Sequence, residues 1–132
     1  MEEALVARML AAAAISAIAG PRVNWGFRVQ GEGGPGVTLF DASPGRTYTY
    51  KGASGLAGPR VQVDCWAADF ATAKALARAV IATLEPPATV AGITFQGAFL
   101  ANERGPSTED LGGGRKVHRV SLDFFVWFSP AA

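Results

Sequence analysis

Apolar and polar residues alternate with a period of two along several stretches of the chain, the rhythm of a strand with one wet and one dry face. In Arg60 to Trp66, Val61, Val63 and Cys65 point one way and Arg60, Gln62, Asp64 and Trp66 the other. From Arg119 to Phe128, Val120, Leu122, Phe124, Val126 and Phe128 share a face opposite Arg119, Ser121, Asp123, Phe125 and Trp127. Ile93, Phe95 and Phe99 make a third such face within Gly92 to Leu100. These three segments are the expected heart of one sheet, with shorter strands at Val37 to Ala42, Thr47 to Lys51 and Val23 to Arg28.

Two stretches follow the helical rhythm instead. Glu2 to Ala19 opens with acids that suit the positive end of a helix dipole, is rich in alanine, and stops at Gly20-Pro21. Leu5, Met9, Ala12 and Ser16 are its expected buried line. A second helix is expected from Asp69, a suitable N-cap, to Leu84, where Pro86-Pro87 blocks continuation. Phe70, Ala73, Ala77, Val80 and Leu84 recur at spacings of three and four and predict its core face.

Two long connections remain. Ser43 to Pro59 holds Pro44-Gly45 and Gly52-Ala53-Ser54-Gly55 around Thr47-Tyr48-Thr49-Tyr50, and Ala101 to Lys116 holds Glu103, Arg104, Glu109 and Asp110 beside Gly112-Gly113-Gly114. A small domain rarely keeps extended loops without a task, so both are read as mobile arms. The order of elements predicts an α+β fold, a mainly antiparallel sheet with two helices packed on one face and long hairpin or loop arms. At 132 residues the chain fits a single domain, residues 1–132.

Composition narrows the function classes. With 49% hydrophobic and 17% charged residues, the chain has material for a core and a surface poor in charge, which suits burial against partners. A formal charge of +1 provides no general field toward nucleic acid or anionic lipid. One cysteine, Cys65, excludes an internal disulfide and a cysteine zinc cluster. The apolar run from Ala4 to Ala19 follows Met1-Glu2-Glu3 and contains Arg8, unlike a secretory leader, and is shorter than the ~20 residues a bilayer requires. It is expected to be a helix of a soluble cytoplasmic protein that makes no membrane contact.

Candidate chemistry is sparse. Gly31-Glu32-Gly33-Gly34-Pro35-Gly36 has the letters of a dinucleotide fingerprint, but Val37-Thr38-Leu39-Phe40 after it reads as a strand where that motif needs a helix. Gly112-Gly113-Gly114-Arg115-Lys116 lacks the spacing and the hydroxyl of a phosphate loop. Cys65 and His118 are the one nucleophile and base pair, yet Cys65 lies on the apolar face of its strand. Asp64 and Asp123 stand among Arg60 and Arg119, as members of cross-strand ion pairs would. No catalytic residue, cofactor or metal site is expected, and the chain is read as a non-enzyme.

The polar face of the sheet is the remaining feature, because it carries Trp66, Phe125 and Trp127 beside Arg60, Asp64 and Asp123. Aromatic residues and arginine are enriched at interface cores. Either a neighbouring subunit or the Tyr48-Tyr50 arm of the same chain would cover them.

Several segments together resemble one family. The helix ending in Gly20-Pro21-Arg22-Val23, the strand Arg60-Val61-Gln62-Val63-Asp64-Cys65-Trp66-Ala67, Ala73-Lys74-Ala75-Leu76-Ala77, and the closing Arg119-Val120-Ser121-Leu122-Asp123-Phe124-Phe125-Val126-Trp127 are similar to the tail-completion proteins of long-tailed phages and gene transfer agents. The resemblance implies a tail terminator of the virion, made in the host bacterial cytoplasm. It implies a homo-oligomer, a hexameric ring on the head-proximal end of the tail tube. The implied partners are the tail-tube protein, the head-tail connector, and DNA passing transiently through the lumen. Closure of a ring requires two different, complementary patches on each subunit. The candidates for these are Arg46, Tyr48, Tyr50 and Lys51 in the first arm and Glu103, Arg104, Glu109 and Asp110 in the second, with Trp66, Phe125 and Trp127 on the sheet; Arg115 and Lys116 are candidates for the lumen.

Overall fold

A computed structural model describes residues 2–26, 35–43, 46–49, 52–112 and 115–130, with the backbone alone at 42–43, 46–49, 52–57, 106, 109–112, 115 and 130. In chain order the elements are α1 (Glu2–Ala11), α2 (Ala13–Ala19), β1 (Val23–Trp25), β2 (Gly36–Ser43), β3 (Arg46–Thr49), β4 (Gly52–Ala57), β5 (Arg60–Ala67), α3 (Phe70–Leu84), β6 (Ala88–Val90), β7 (Ile93–Gly112) and β8 (Arg115–Pro130). The fold is α+β, as expected, and among the described residues the strands form one eight-stranded sheet.

The expected long strands stand at its centre. β5 lies between β2 and β8, antiparallel to both, and β7 pairs with the other side of β8. β1 joins β2 in parallel, β6 joins β7, and the β3–β4 pair attaches to β8 through Ala57 and Phe128. Val61, Val63, Cys65, Val120, Leu122, Phe124 and Val126 are all buried on one side of the sheet, where they meet Leu5, Met9, Ile15, Leu76 and Val80 from the helices.

α3 forms where its cap and its apolar stripe predict it. The Asp69 carboxylate accepts from the Thr72 amide at 2.8 Å and from the Thr72 hydroxyl at 2.9 Å, satisfying a donor that the first turn leaves unpaired. Ala73, Leu76, Ala77, Val80 and Leu84 are buried, but Phe70 is exposed, because it stands at the first helical turn beyond the edge of the core.

The expected helix from Glu2 to Ala19 is instead two. Ala12 has an extended backbone (φ −78°, ψ 115°), and no side chain caps α2. Alanine propensity favours an unbroken helix here, so packing overrides it: α1 rests on β1 and β6, whereas α2 rests on α3 and β2. Ile15 and Ala19 become the buried residues of α2, and Ser16 is exposed. Arg8, also buried, donates to the Pro86 carbonyl and lies over the Phe95 ring at 5.4 Å, tying α1 to the segment that leaves α3.

The second expected arm is no loop. β7 and β8 pair from Ile93 and Pro130 out to Gly112 and Arg115, so Ala101 to Lys116 supplies the outer part of β7 and the start of β8 in a long hairpin whose inter-strand hydrogen bonds hold it. β5 ends at Ala67 opposite His118, and the hairpin continues past it as a two-stranded ribbon. The sequence disguised it because four irregularities interrupt the alternation, between Phe95 and Gly97, Leu100 and Asn102, Arg104 and Ser107, and Asp110 and Gly112. At the third, Gly105 has φ +117°, and a Cβ there would lie 2.7 Å from the Arg119 carbonyl oxygen. The first arm contains β3 and β4; Tyr50 and Lys51 lie outside the described residues, as do residues 27–34, which include the end of the expected Val23 to Arg28 strand and the first part of the glycine-rich stretch, whose Gly36 opens a strand.

The first irregularity also corrects a face. Phe95 pairs with Phe128 and Gly97 with Trp127, so Gln96 is an inserted residue and the alternation flips. Phe95 is fully buried, whereas Phe99, expected on the same side, emerges on the opposite side, 62% exposed and across from Phe125.

Candidate assembly surface

With the helices on one side, the other side of the sheet presents the polar residues of β2, β5, β8 and β7. Register aligns them in rows: Thr38, Asp64, Ser121 and Arg104; then Phe40, Gln62, Asp123 and Asn102; then Arg60, Phe125 and Phe99. A further row joins Trp66, Arg119 and Ser107.

Two carboxylates organise this surface. Asp123 is buried, and its Oδ2 receives Arg104 Nη1 at 2.5 Å and Arg60 Nη2 at 3.2 Å, so one acid on β8 joins β7 and β5. Asp64, also buried, accepts from Gln62 Nε2 at 3.0 Å and lies 4.0 Å from Arg119 Nη1. The cross-strand pairing of Arg60 and Arg119 with these acids follows the sequence expectation; the reach of Arg104 does not, because a residue assigned to a loop has no register. The guanidinium side chains remain 41% (Arg60), 48% (Arg104) and 32% (Arg119) exposed, above acids only 3–4% exposed. The face therefore presents positive ends outward and hides its negative ones, an arrangement suited to acidic partners.

The aromatic residues divide. Trp66 is half-buried, its indole donating to Thr38 Oγ1 at 3.0 Å with the Arg119 guanidinium 5.3 Å from its ring. Trp127 lies against Gly58, where a Cβ would come within 2.6 Å of the indole ring, so the Gly58-Pro59 segment supplies cover from the same chain. Phe125, 39% exposed beneath Arg60 at 5.9 Å, and Phe99 lie open together. Phe40, at the opposite edge of the face, is also exposed. The signal that could have revealed Phe99 is the glycine at Gly97, since an isolated glycine within a strand pattern marks a bulge.

The other candidates are spread along the arms. Glu103 pairs with Lys74 of α3 at 2.8 Å. Glu109 and Asp110 stand opposite Val117 and Lys116 in the ribbon, and Arg115 opposite Gly112 begins β8; Lys116 is exposed. Arg46 and Tyr48 stand opposite Ala57 and Ala53 in β3.

The nucleophile and base pair does not form a reactive site. Cys65 is fully buried in the apolar core, and burial first, then the charges of Asp64 and Glu103, push its thiol far above the usual range. Nδ1 of His118 is instead 3.1 Å from Thr108 Oγ1. Among the described residues no group of three or more His, Cys, Asp or Glu side chains converges as a metal site. No described helix is long and apolar enough to cross a membrane.

A chain from the virion of a native gene transfer agent (GTA) particle has the same fold, with a TM-score of 0.71 and 22% identity, covering 98% of this chain and 94% of that one. No curated protein matches the sequence. Residues 3–129 match the family model for tail completion protein gp17. The chain therefore belongs to the tail completion protein gp17 family and is a structural component of a phage-type virion tail.

Proposed function

We propose that the protein is a tail terminator, whose copies close into a hexameric ring on the head-proximal end of the tail tube, stop its growth, and provide the docking surface for the head connector. DNA passes through the lumen of that ring during delivery. The observation that carries the reading is the open sheet face, where Phe99 and Phe125 lie exposed together among arginine ends. Apolar aromatics ringed by arginine are the composition of an interface core. A subunit that acts through such surfaces needs no bond-making side chain.

Arg46, Tyr48, Tyr50, Lys51, Glu103, Arg104, Glu109 and Asp110 remain proposed contacts for neighbours in the ring or for the tail-tube and connector proteins, together with Trp66, Phe125 and Trp127. Arg115 and Lys116, at the end of the ribbon, are proposed to face the lumen. A head-to-tail interface that closes is self-limiting, whereas a tube subunit also stacks. Mass measurement of purified assemblies tests this directly: a single closed ring is the expected product, and open-ended stacks of rings would assign the chain to the tube. In particles lacking the protein, tubes of uncontrolled length and unjoined heads are expected, and normal joined virions would overturn the reading.

A further inference from the structure

We propose that Gly58, Pro59 and Trp127 form a joint that aims the β3–β4 ribbon at the next copy in the ring, with Trp127 as a positioning residue. This rests on the ring reading above, and it says how the direction of that contact is fixed.

Strand register shows where the ribbon belongs. β5 pairs with β8 as far as Arg60 and Phe125, and β4 resumes at Ala57 and Phe128, three residues further along each strand. β4 and β5 are therefore one strand against β8, with nothing inserted between them. On the other side Ser43 faces Arg60 and Arg46 faces Ala57, again three residues further along each strand. β2–β5 and β3–β4 are thus the inner and outer halves of a single long hairpin. The inner half lies within the sheet, whereas the outer half pairs with β8 at Ala57 alone among the described residues.

The junction between the halves is made of residues that weaken a strand. The intervening sequence is Pro44-Gly45 on one side and Gly58-Pro59 on the other. Pro59 accepts from the Val126 amide at 3.0 Å but has no N–H to return, so the ladder loses a bond where the two halves meet. Gly58 has no side chain to pack, and the Trp127 indole lies so close that a Cβ there would come within 2.6 Å of it. Gly58 and Pro59 are both buried. An aromatic ring over a strand glycine supplies the packing that the glycine lacks. Here it holds the strand at the point where hydrogen bonding is weakest, so the direction of the ribbon is set by contact with one flat ring.

Direction matters because all interfaces of a ring are alike, and an error at one recurs at every other. A ring of six closes only when each interface turns by about 60°. β4 has six residues and a length of about 20 Å, so a turn of about 15° at its root moves its far end by about 5 Å. Close-packed surfaces do not absorb a displacement of that size.

Moving the joint tests this. Gly58→Ala presses a methyl group against the indole, and Trp127→Leu removes the ring without adding bulk. Val80→Ala, in the buried face of α3, is a control that lowers stability away from the joint. Folding is verified by circular dichroism, and assembly of unlabelled protein is read by native mass spectrometry. Spin labels on Thr49→Cys in β3 and Ala75→Cys in α3 report the direction of the ribbon in dissociated subunits, by pulsed electron paramagnetic resonance. The wild type should give one narrow distance and form rings. Gly58→Ala should shift the distance, and Trp127→Leu should broaden it; each should lower ring by about 10- to 100-fold, as loss of an interface hot spot does. Adding Trp127→Leu to Gly58→Ala should reverse the shift, and Val80→Ala should keep both distance and ring. Rings lost at an unchanged distance, in either joint variant or in Val80→Ala, would assign the effect to stability and overturn the joint. Rings retained in both joint variants would overturn it too, and if those rings no longer bound tail tubes the ribbon would be aimed at the tube protein. A wild-type distance as broad as that of Trp127→Leu would show that no direction is held. A wild type that stays monomeric, alone and on tail tubes, would overturn the ring reading itself.

Discussion

Arg104 of β7 and Asp123 of β8 are joined at 2.5 Å on the diagonal of an uninterrupted stretch of the hairpin register, on a carboxylate that Arg60 of β5 also holds. A buried acid serving two arginines stabilises the sheet more than either arginine does singly, because removing it leaves two guanidinium groups facing each other. Asp123→Asn is expected to lower unfolding free energy by about 2 kcal/mol, since hydrogen bonds to charged groups contribute about 1.5–3 kcal/mol. Arg104→Ala, on a half-exposed side chain, should cost less than about 1 kcal/mol. Urea unfolding of both variants checks the order, and equal losses would show that Arg60 does not share the load.

Close approach makes a second prediction. The Gly58 backbone lies under Trp127 with no space for a methyl group. Gly58→Ala should destabilise the protein by about 1–3 kcal/mol, the usual cost of overpacking. In a Trp127→Leu background the same change should cost less, because the obstructing ring is gone. A thermal melt of the four proteins in this cycle measures the coupling.

The response to acid has two opposing parts. Asp69 is held below its ordinary 3.8 by the amide and hydroxyl of Thr72, so its contribution is present above that value and is lost as pH falls through the lower, folded one. Asp41 is held above 3.8, so its ionisation costs stability, and the cost disappears as pH falls through its raised value. Asp41→Asn should therefore stabilise the isolated subunit near neutrality and flatten its profile above pH 4, whereas Asp69→Ala should destabilise it near neutrality. Chemical unfolding across the pH range distinguishes the two slopes.

Cys65 should be inert. Its thiol is buried and strongly held in the protonated state, and the thiolate is the reactive form. A thiol reagent at pH 8 should label the denatured chain fully and the native chain slowly, at the rate of global opening. Rapid native labelling would contradict the packing of β5 against α3.

The heart of the sheet was legible because β5 and the inner half of β8 keep strict alternation with one face dry, so residue types alone assign both sides. α3 was legible because Asp69 and Pro86-Pro87 bracket its stripe. The break at Ala12 was not, since Ala11 to Ala14 carries no signal against helix and the reason lies in which elements wait on either side. Ala101 to Lys116 was misread because its insertions destroy the period by which strands are recognised. For the surface, the acids and arginines of β5 and β8 were visible by parity, but Arg104 and Phe99 required a register that only pairing supplies. β6 is three residues long, too short to show a rhythm.

The inserted Gln96 means that the identity of the outer surface is encoded in strand length as much as in residue type. Shortening β7 by that one position would exchange inside for outside along the following residues, drawing Phe99 toward the core and turning its neighbours outward, without altering a single aromatic side chain. Relatives of this protein can therefore keep the same letters and lose the same contact, or keep the contact through different letters, so that counting spacings along β7 discriminates compatible neighbours better than percentage identity.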